Sequence, residues 1–211
     1  MKDKHLSVWQ DHLDLSFMKR CNQRGTAIGG YKHKIASEIV LNHESVLDVG
    51  AGLGTISGLF SEIKYTAAEI TEKYIEYMKS KNIDCVHCIN AIPLEDNSYD
   101  CVISFETINH QIDYKHHLSE LLRIAKNKVY VSFFKKWQED ARDGIDYLSH
   151  RGVYENNCGL IEERDVRDNK VVCIYNFINK QRLVEYLDSL NLVYKFEKYS
   201  DIESVLTISL R

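Results

Sequence analysis

The chain has 211 residues, of which 44% are hydrophobic and 27% charged, and a formal net charge of −4. That length buries one sizeable core but is short for two ordinary enzyme domains. No apolar run approaches the roughly 20 residues of a membrane helix, so no membrane segment is expected; the acidic balance gives no general attraction to polyanions and disfavours a nucleic-acid partner.

In chain order, Met1 to His12 lacks both the apolar centre of a secretory signal and the Arg-rich character of a transit peptide, so a cytoplasmic location is expected. Residues 1–44 read as an N-terminal helical segment in which Tyr31 to Leu41 forms a helix on the sheet edge, approached through Gly29 and Gly30. From residue 46 to 134 strand and helix alternate with short connections, which argues for a parallel sheet covered on both faces. Ser45 to Val49 is the first strand. A helix starting near Gly54 carries Ile56, Leu59, Phe60 and Ile63 on one side, and Tyr65 to Glu69 is the second strand. Thr71 caps a helix with the stripe Tyr74, Ile75 and Met78, ended by Asn82. Strand three is Ile83 to Ile89 and strand four Asp100 to Glu106; a helix around Leu118 to Ala125 leads to strand five, Lys128 to Phe134.

Lys135 to Lys170 is polar and charged without a long period, and is read as an inserted lid. Val171 to Phe177 is strand-like, Asn179 caps a helix containing Leu183, Val184, Leu187 and Leu190, and Leu192 to Phe196 with Val205 to Leu210 make a late pair of strands. The fold class is therefore α/β: one domain over 1–211, a Rossmann-like doubly wound sheet, mostly parallel with a C-terminal antiparallel hairpin. Cys85 and Cys88 have the spacing of a zinc knuckle, but no second pair follows, so core packing as reduced thiols is expected and no metal site.

The sharpest motif is Val46-Leu-Asp-Val-Gly-Ala-Gly-Leu-Gly-Thr55, an apolar strand ending in three alternate glycines. Gly50, Gly52 and Gly54 let the backbone turn tightly and approach a ligand. A dinucleotide fingerprint needs its third glycine where Thr55 stands, and no Walker lysine follows, so an NAD-dependent oxidoreductase is the weaker reading and an ATP cradle is disfavoured.

An acidic residue and G-x-G-x-G at the end of strand one resemble the first motif of class I S-adenosylmethionine (SAM)-dependent methyltransferases of the small-molecule type, over roughly Tyr31 to Phe134. The resemblance implies SAM as cofactor. It implies that Asp48 positions the methionine end, with Gly50, Ala51, Gly52 and Gly54 packed against it; a loop-capping carboxylate is the plainer alternative for Asp48. Glu69, about 20 residues on, stands where a carboxylate accepts hydrogen bonds from ribose hydroxyls, or else serves only as a helix-start acid. Ile70 would pack on adenine. Asn90 and Ala91 match the adenine-contact segment, with asparagine replacing the usual acid, whose amide oxygen can still accept; a turn role is equally open.

Phe105 and Glu106 correspond to the fourth-strand end that faces the transferred methyl, and His110 is the candidate general base, an exposed loop histidine being its alternative. Trp9, Tyr31, Trp137, Tyr147, His150, Arg151 and Tyr154 are candidates for acceptor selection from the two irregular segments. The N/D-P-P-Y/F signature is absent, and Pro93 is followed by leucine rather than a nucleophilic cysteine. The expected substrate is thus a small hydroxylated or amino metabolite, with a SAM-binding regulatory or scaffold protein as the alternative. Oligomeric state is not indicated.

Overall fold

In the computed structural model, which describes residues 30–89, 91–111, 113–134, 154–155, 160–164, 171–176, 178–199 and 203–210, strand β1 (Ser45–Val49) is buried along its whole length. It pairs in parallel with β2 (Lys64–Glu69) on one side and β4 (Tyr99–Ser104) on the other, and β3 (Cys85–His87) extends the sheet beyond β2. Strand β5 (Ala125–Phe134) lies parallel to β4, and the late pair β9 (Val193–Lys198) and β10 (Glu203–Ser209) is antiparallel, with β10 inserted against β5. The order β3-β2-β1-β4-β5-β10-β9 reverses direction between β1 and β4. This is the expected α/β sheet, mostly parallel with a C-terminal antiparallel hairpin.

Alternation of side chains along β1 explains the two layers. Val46 points into a cluster with Tyr31, Ile35 and Ile39 of helix α1 (Gly30–Asn42), while Leu47 and Val49 face the opposite cluster. There Leu118, Leu121 and Ile124 of α3 (Tyr114–Ile124) meet Leu183 and Leu187 of α4 (Lys180–Ser189). With both faces covered, β1 is buried at every position rather than at alternate ones. Helix α2 (Glu72–Ser80) buries the predicted stripe Tyr74, Ile75 and Met78, and Asn82 after it takes a left-handed φ of 56°.

Several boundaries differ from the sequence reading. The helix expected from Gly54 is only a 3-10 turn, Ser57–Phe60, in which Phe60 alone is buried. Three left-handed glycines precede it, and Thr55, Ile56, Ser57 and Gly58 all have modest helix propensity. Strand three shrinks to Cys85–His87 because, at the sheet edge, it has only β2 to pair with; Ile89 is left 47% exposed. Strand four stops at Ser104, since Glu106 has a φ of 58° that no strand accommodates. Helix α3 starts earlier than expected because Asp113 accepts the His116 N–H at 3.0 Å. Leu190, assigned to the α4 stripe, is exposed, because that helix ends at Ser189. Asn179 does cap it, accepting from the Arg182 N–H.

A second, three-stranded antiparallel sheet joins β6 (Tyr154–Glu155), β7 (Leu160–Arg164) and β8 (Val171–Asn176). The backbone of β8 runs beside a 3-10 turn, Ile108–His110, that follows β4. Among the described residues no helix is long and apolar enough to cross a membrane, and no cluster of metal-ligating side chains occurs. Cys85, Cys88 and Cys101 are free thiols, the first two partly buried against core residues.

Candidate active site

Ligands of open α/β sheets bind beyond the carboxyl ends of the strands where strand order reverses, here between β1 and β4. Three left-handed glycines lie there: Gly50, Gly52 and Gly54 have φ of 77°, 58° and 65°. A Cβ on Gly50 would collide with the Thr107 side chain, so the loop after β1 and the loop after β4 touch at a point only glycine allows. Thr107 Oγ1 in turn donates to Gly50 O at 3.3 Å or to Phe105 O at 3.1 Å.

Two buried carboxylates flank the glycine loop. Glu69, at the end of β2, accepts the Gly52 N–H at 2.8 Å on one oxygen, and the Ile70 and Thr71 N–H groups at 2.7 and 3.0 Å on the other. Burial raises its pKa, opposed by those three backbone donors. Asp48, 3% exposed in β1, accepts the Tyr65 hydroxyl at 2.7 Å. Burial pushes its carboxyl up to about 6, against the Tyr65 hydrogen bond and the attraction of Lys32, with Glu69 reinforcing the rise. The carboxylate also raises the Tyr65 phenol, which burial already pushes well up.

On the β4 side the groups are held by side-chain contacts across the fold. Ser104 Oγ lies 3.1 Å from Val49 O and 3.0 Å from His117 Nε2, bridging the ends of β1 and β4 to helix α3. Burial, aided by neighbouring His116, lowers His117 to about 4 against the pull of Glu120, so the ring is neutral near pH 7. Glu106 is fixed by its N–H to Ser132 Oγ at 2.8 Å, and its carboxylate pairs with Lys32 at 2.9 Å. Tyr31, 3% exposed, stacks edge-on against Phe105 at 5.7 Å and places its hydroxyl 3.2 Å from Ser132 Oγ and 3.3 Å from Glu106.

Of the residues singled out by sequence, Asp48, Gly50, Ala51, Gly52, Gly54, Glu69 and Ile70 gather at the ends of β1 and β2, and Phe105, Glu106 and His110 follow β4. Phe105 is buried rather than lining open space, and Ala91 is exposed. Tyr31, expected among acceptor-selecting residues, is buried in the first turn of α1 with its hydroxyl engaged. Asn90, Trp9, Trp137, Tyr147, His150 and Arg151 lie outside the described residues. The sequence reading missed Lys32, Tyr65 as the partner of Asp48, and the Ser104–His117 pair. Lys32 follows Tyr31 directly and could have been noticed as a cation one residue from a candidate, whereas the other contacts have no local signal.

Residues 47–133 match the family described as a methyltransferase domain. Among curated proteins the chain is similar to an uncharacterized protein of Methanocaldococcus jannaschii, 30% identical over 83 residues, or 39% of this chain. The match spans only 36% of that relative's own length. The fold is shared with a Pyrococcus horikoshii protein at a TM-score of 0.65 and 17% identity, covering 97% of this chain and 96% of the other. It is also shared with a SAM-dependent methyltransferase from Aquifex aeolicus at 0.61 and 18%, covering 94% and 100%. A third, the magnesium protoporphyrin IX methyltransferase of Synechocystis with bound S-adenosylhomocysteine (SAH), gives 0.60 and 14%, covering 99% and 94%. The matched residues 47–133 span the strand, glycine loop and paired carboxylates described above, so the part of the chain that is similar to the methyltransferase-domain family is the part that carries the candidate site.

Proposed function

We propose that the chain transfers a methyl group from SAM to an oxygen or nitrogen nucleophile of a small metabolite, the sugar or biosynthetic-intermediate class being the expected acceptor. The observation that carries this reading is the pair of buried carboxylates, Asp48 and Glu69, at neighbouring strand ends on either side of a loop whose glycines take left-handed φ. One acid suits the cationic amino group of a methionine moiety and the other a ribose hydroxyl.

Glu69 fits that task with one condition. A carboxylate has about four acceptor positions, and three already hold backbone N–H groups, so engaging both ribose hydroxyls displaces one of them, Gly52 being the donor from the glycine loop. Ile70, Asn90 and Ala91 follow the ends of β2 and β3, where adenine would lie, and Phe105 with Glu106 borders the reacting end. The bound cofactor supplies a methyl already activated on a sulfonium, so the protein's share is alignment and exclusion of water. His110, on the turn after β4, is the group assigned in this reading to accept a proton from a hydroxyl or amine.

The acceptor is selected by the stretch 135–170 acting as a lid, with Trp137, Tyr147, His150 and Arg151 as its contacts. Support comes from β8, which pairs with β7 of that stretch and runs beside the turn carrying His110. Incubation of the purified protein with methyl-labelled SAM and a metabolite extract tests the reading: label in a small product supports it, and label in nucleic acid or nowhere contradicts it.

A further inference from the structure

We propose that His87 is a positioning residue for the nucleoside end of the cofactor. It pins the peptide between Ile70 and Thr71, which keeps two of the three donors to Glu69 in place and makes the Gly52 N–H the one that yields to a ribose hydroxyl. The inference rests on the cofactor reading above and deepens it, adding a side chain of β3 that acts through the main chain.

Glu69 and His87 stand opposite each other in the register of the parallel strands β2 and β3, so their side chains leave the same face of the sheet. From there the imidazole reaches past the end of β2, and its Nε2 lies 2.8 Å from Ile70 O. A carbonyl oxygen can only accept, so Nε2 carries a proton and donates it to this bond. The N–H of that same peptide unit belongs to Thr71, and it donates to Glu69 Oε1 at 3.0 Å. Both polar groups of one peptide are thus engaged, the carbonyl by β3 and the N–H by β2. Turning the peptide over breaks both bonds at once and leaves the N–H of the buried Thr71 unsatisfied.

Beyond Thr71 the chain is already committed to α2, since Thr71 O accepts the Tyr74 and Ile75 N–H groups at 3.0 and 3.1 Å. Ile70 is therefore the point at which the turn can loosen, and His87 closes it. The consequence falls on Glu69, whose two oxygens are held differently. Oε1 takes the Ile70 and Thr71 N–H groups, both on the pinned turn, whereas Oε2 takes the Gly52 N–H at 2.8 Å, from the loop after β1. An incoming pair of hydroxyls meets one oxygen whose donors are gripped from two strands and one whose donor lies outside that grip.

The test is calorimetric titration with SAH and with its 2′,3′-dideoxy analogue, which lacks the hydroxyls that Glu69 would hold. His87→Ala is expected to weaken SAH by roughly 3- to 10-fold, the range for one lost neutral hydrogen bond, while changing the dideoxy analogue by less than about twofold. His87→Gln, whose side-chain amide can donate to the same carbonyl, is expected to restore most of the SAH affinity. A merely structural role would weaken both ligands alike. Equal losses for both ligands in His87→Ala, SAH affinity unchanged in it, or a loss in His87→Gln as large as in His87→Ala overturns the inference while the cofactor reading stands. Wild-type protein that binds neither ligand overturns the cofactor reading and this inference with it.

Discussion

The two sides of the strand-order reversal are built differently. At the ends of β1 and β2, the acids are separated by short stretches of sequence and one of them is held by backbone N–H groups: Glu69 by residues 52, 70 and 71. At the end of β4, the groups are held by side chains of other elements, Ser104 by His117 of α3, and Glu106 by Lys32 of α1 and Ser132 of β5. A backbone-held acid is fixed by donors that the main chain itself positions. A side-chain-held one can exchange partners.

Breaking the contact point between the two sides should have the largest effect. Gly50→Ala puts a Cβ into Thr107 at a φ of 77°, combining backbone strain with overpacking, and is expected to destabilise the fold by about 2–4 kcal/mol. Chemical denaturation measures this, and Thr107→Ala in the same chain should recover part of the overpacking, since Thr107 Cβ would still lie 2.8 Å from the new methyl. Full stability in Gly50→Ala would mean the two loops are not in contact.

The titrating groups should separate the sides next. His117 falls from 6.5 to about 4 on folding, so between those values the unfolded chain binds more protons, and its contribution to stability is present above 6.5 and lost as pH falls towards 4. Asp48 rises from 3.8 to about 6, so its contribution is present below 3.8 and lost as pH rises through 6. The two oppose each other in the same acid window. His117→Gln should therefore remove about 2–3 kcal/mol of the stability loss between pH 7 and pH 4, read from denaturation at each pH. An unchanged profile would mean that His117 is protonated in the folded chain.

Smaller effects should sharpen the carboxylate side. Glu69→Ala is expected to weaken SAH by about 1–3 kcal/mol, because ribose hydroxyls and loop N–H groups lose their acceptor; unchanged affinity in a folded variant would remove Glu69 from the site. Tyr65→Phe should cost about 1 kcal/mol of SAH affinity near neutral pH, since an Asp48 without its hydrogen bond protonates more readily. The pH midpoint for SAH binding should rise accordingly, and a midpoint that stays in place would show that Tyr65 does not tune Asp48.

The same contrast decides what could be read from the sequence. The β1 strand, its glycine run and Glu69 form one continuous pattern of strand, turn and strand, and the structure puts them where that pattern implies. The Rossmann-like order and the closing hairpin follow from alternation and short connections. The pairing of Tyr65 with Asp48 depends on two parallel strands lying side by side in a given register, and that of Ser104 with His117 on a helix returning over β4. Neither leaves a trace at a fixed spacing. The helix after Gly54 was expected from apolar spacing alone, yet the residues at its start are glycine, serine and β-branched, and only a 3-10 turn forms.

The central claim, that the reversal between β1 and β4 holds a nucleoside joined to an amino acid, is tested most directly by calorimetric titration of the purified chain with SAH, beside NAD, from neutral pH down through 6. The account predicts saturable SAH binding that weakens as Asp48 takes up its proton near 6, loss of that pH dependence in Asp48→Asn, and no binding of NAD. Absence of heat with SAH alongside a response to NAD would contradict it.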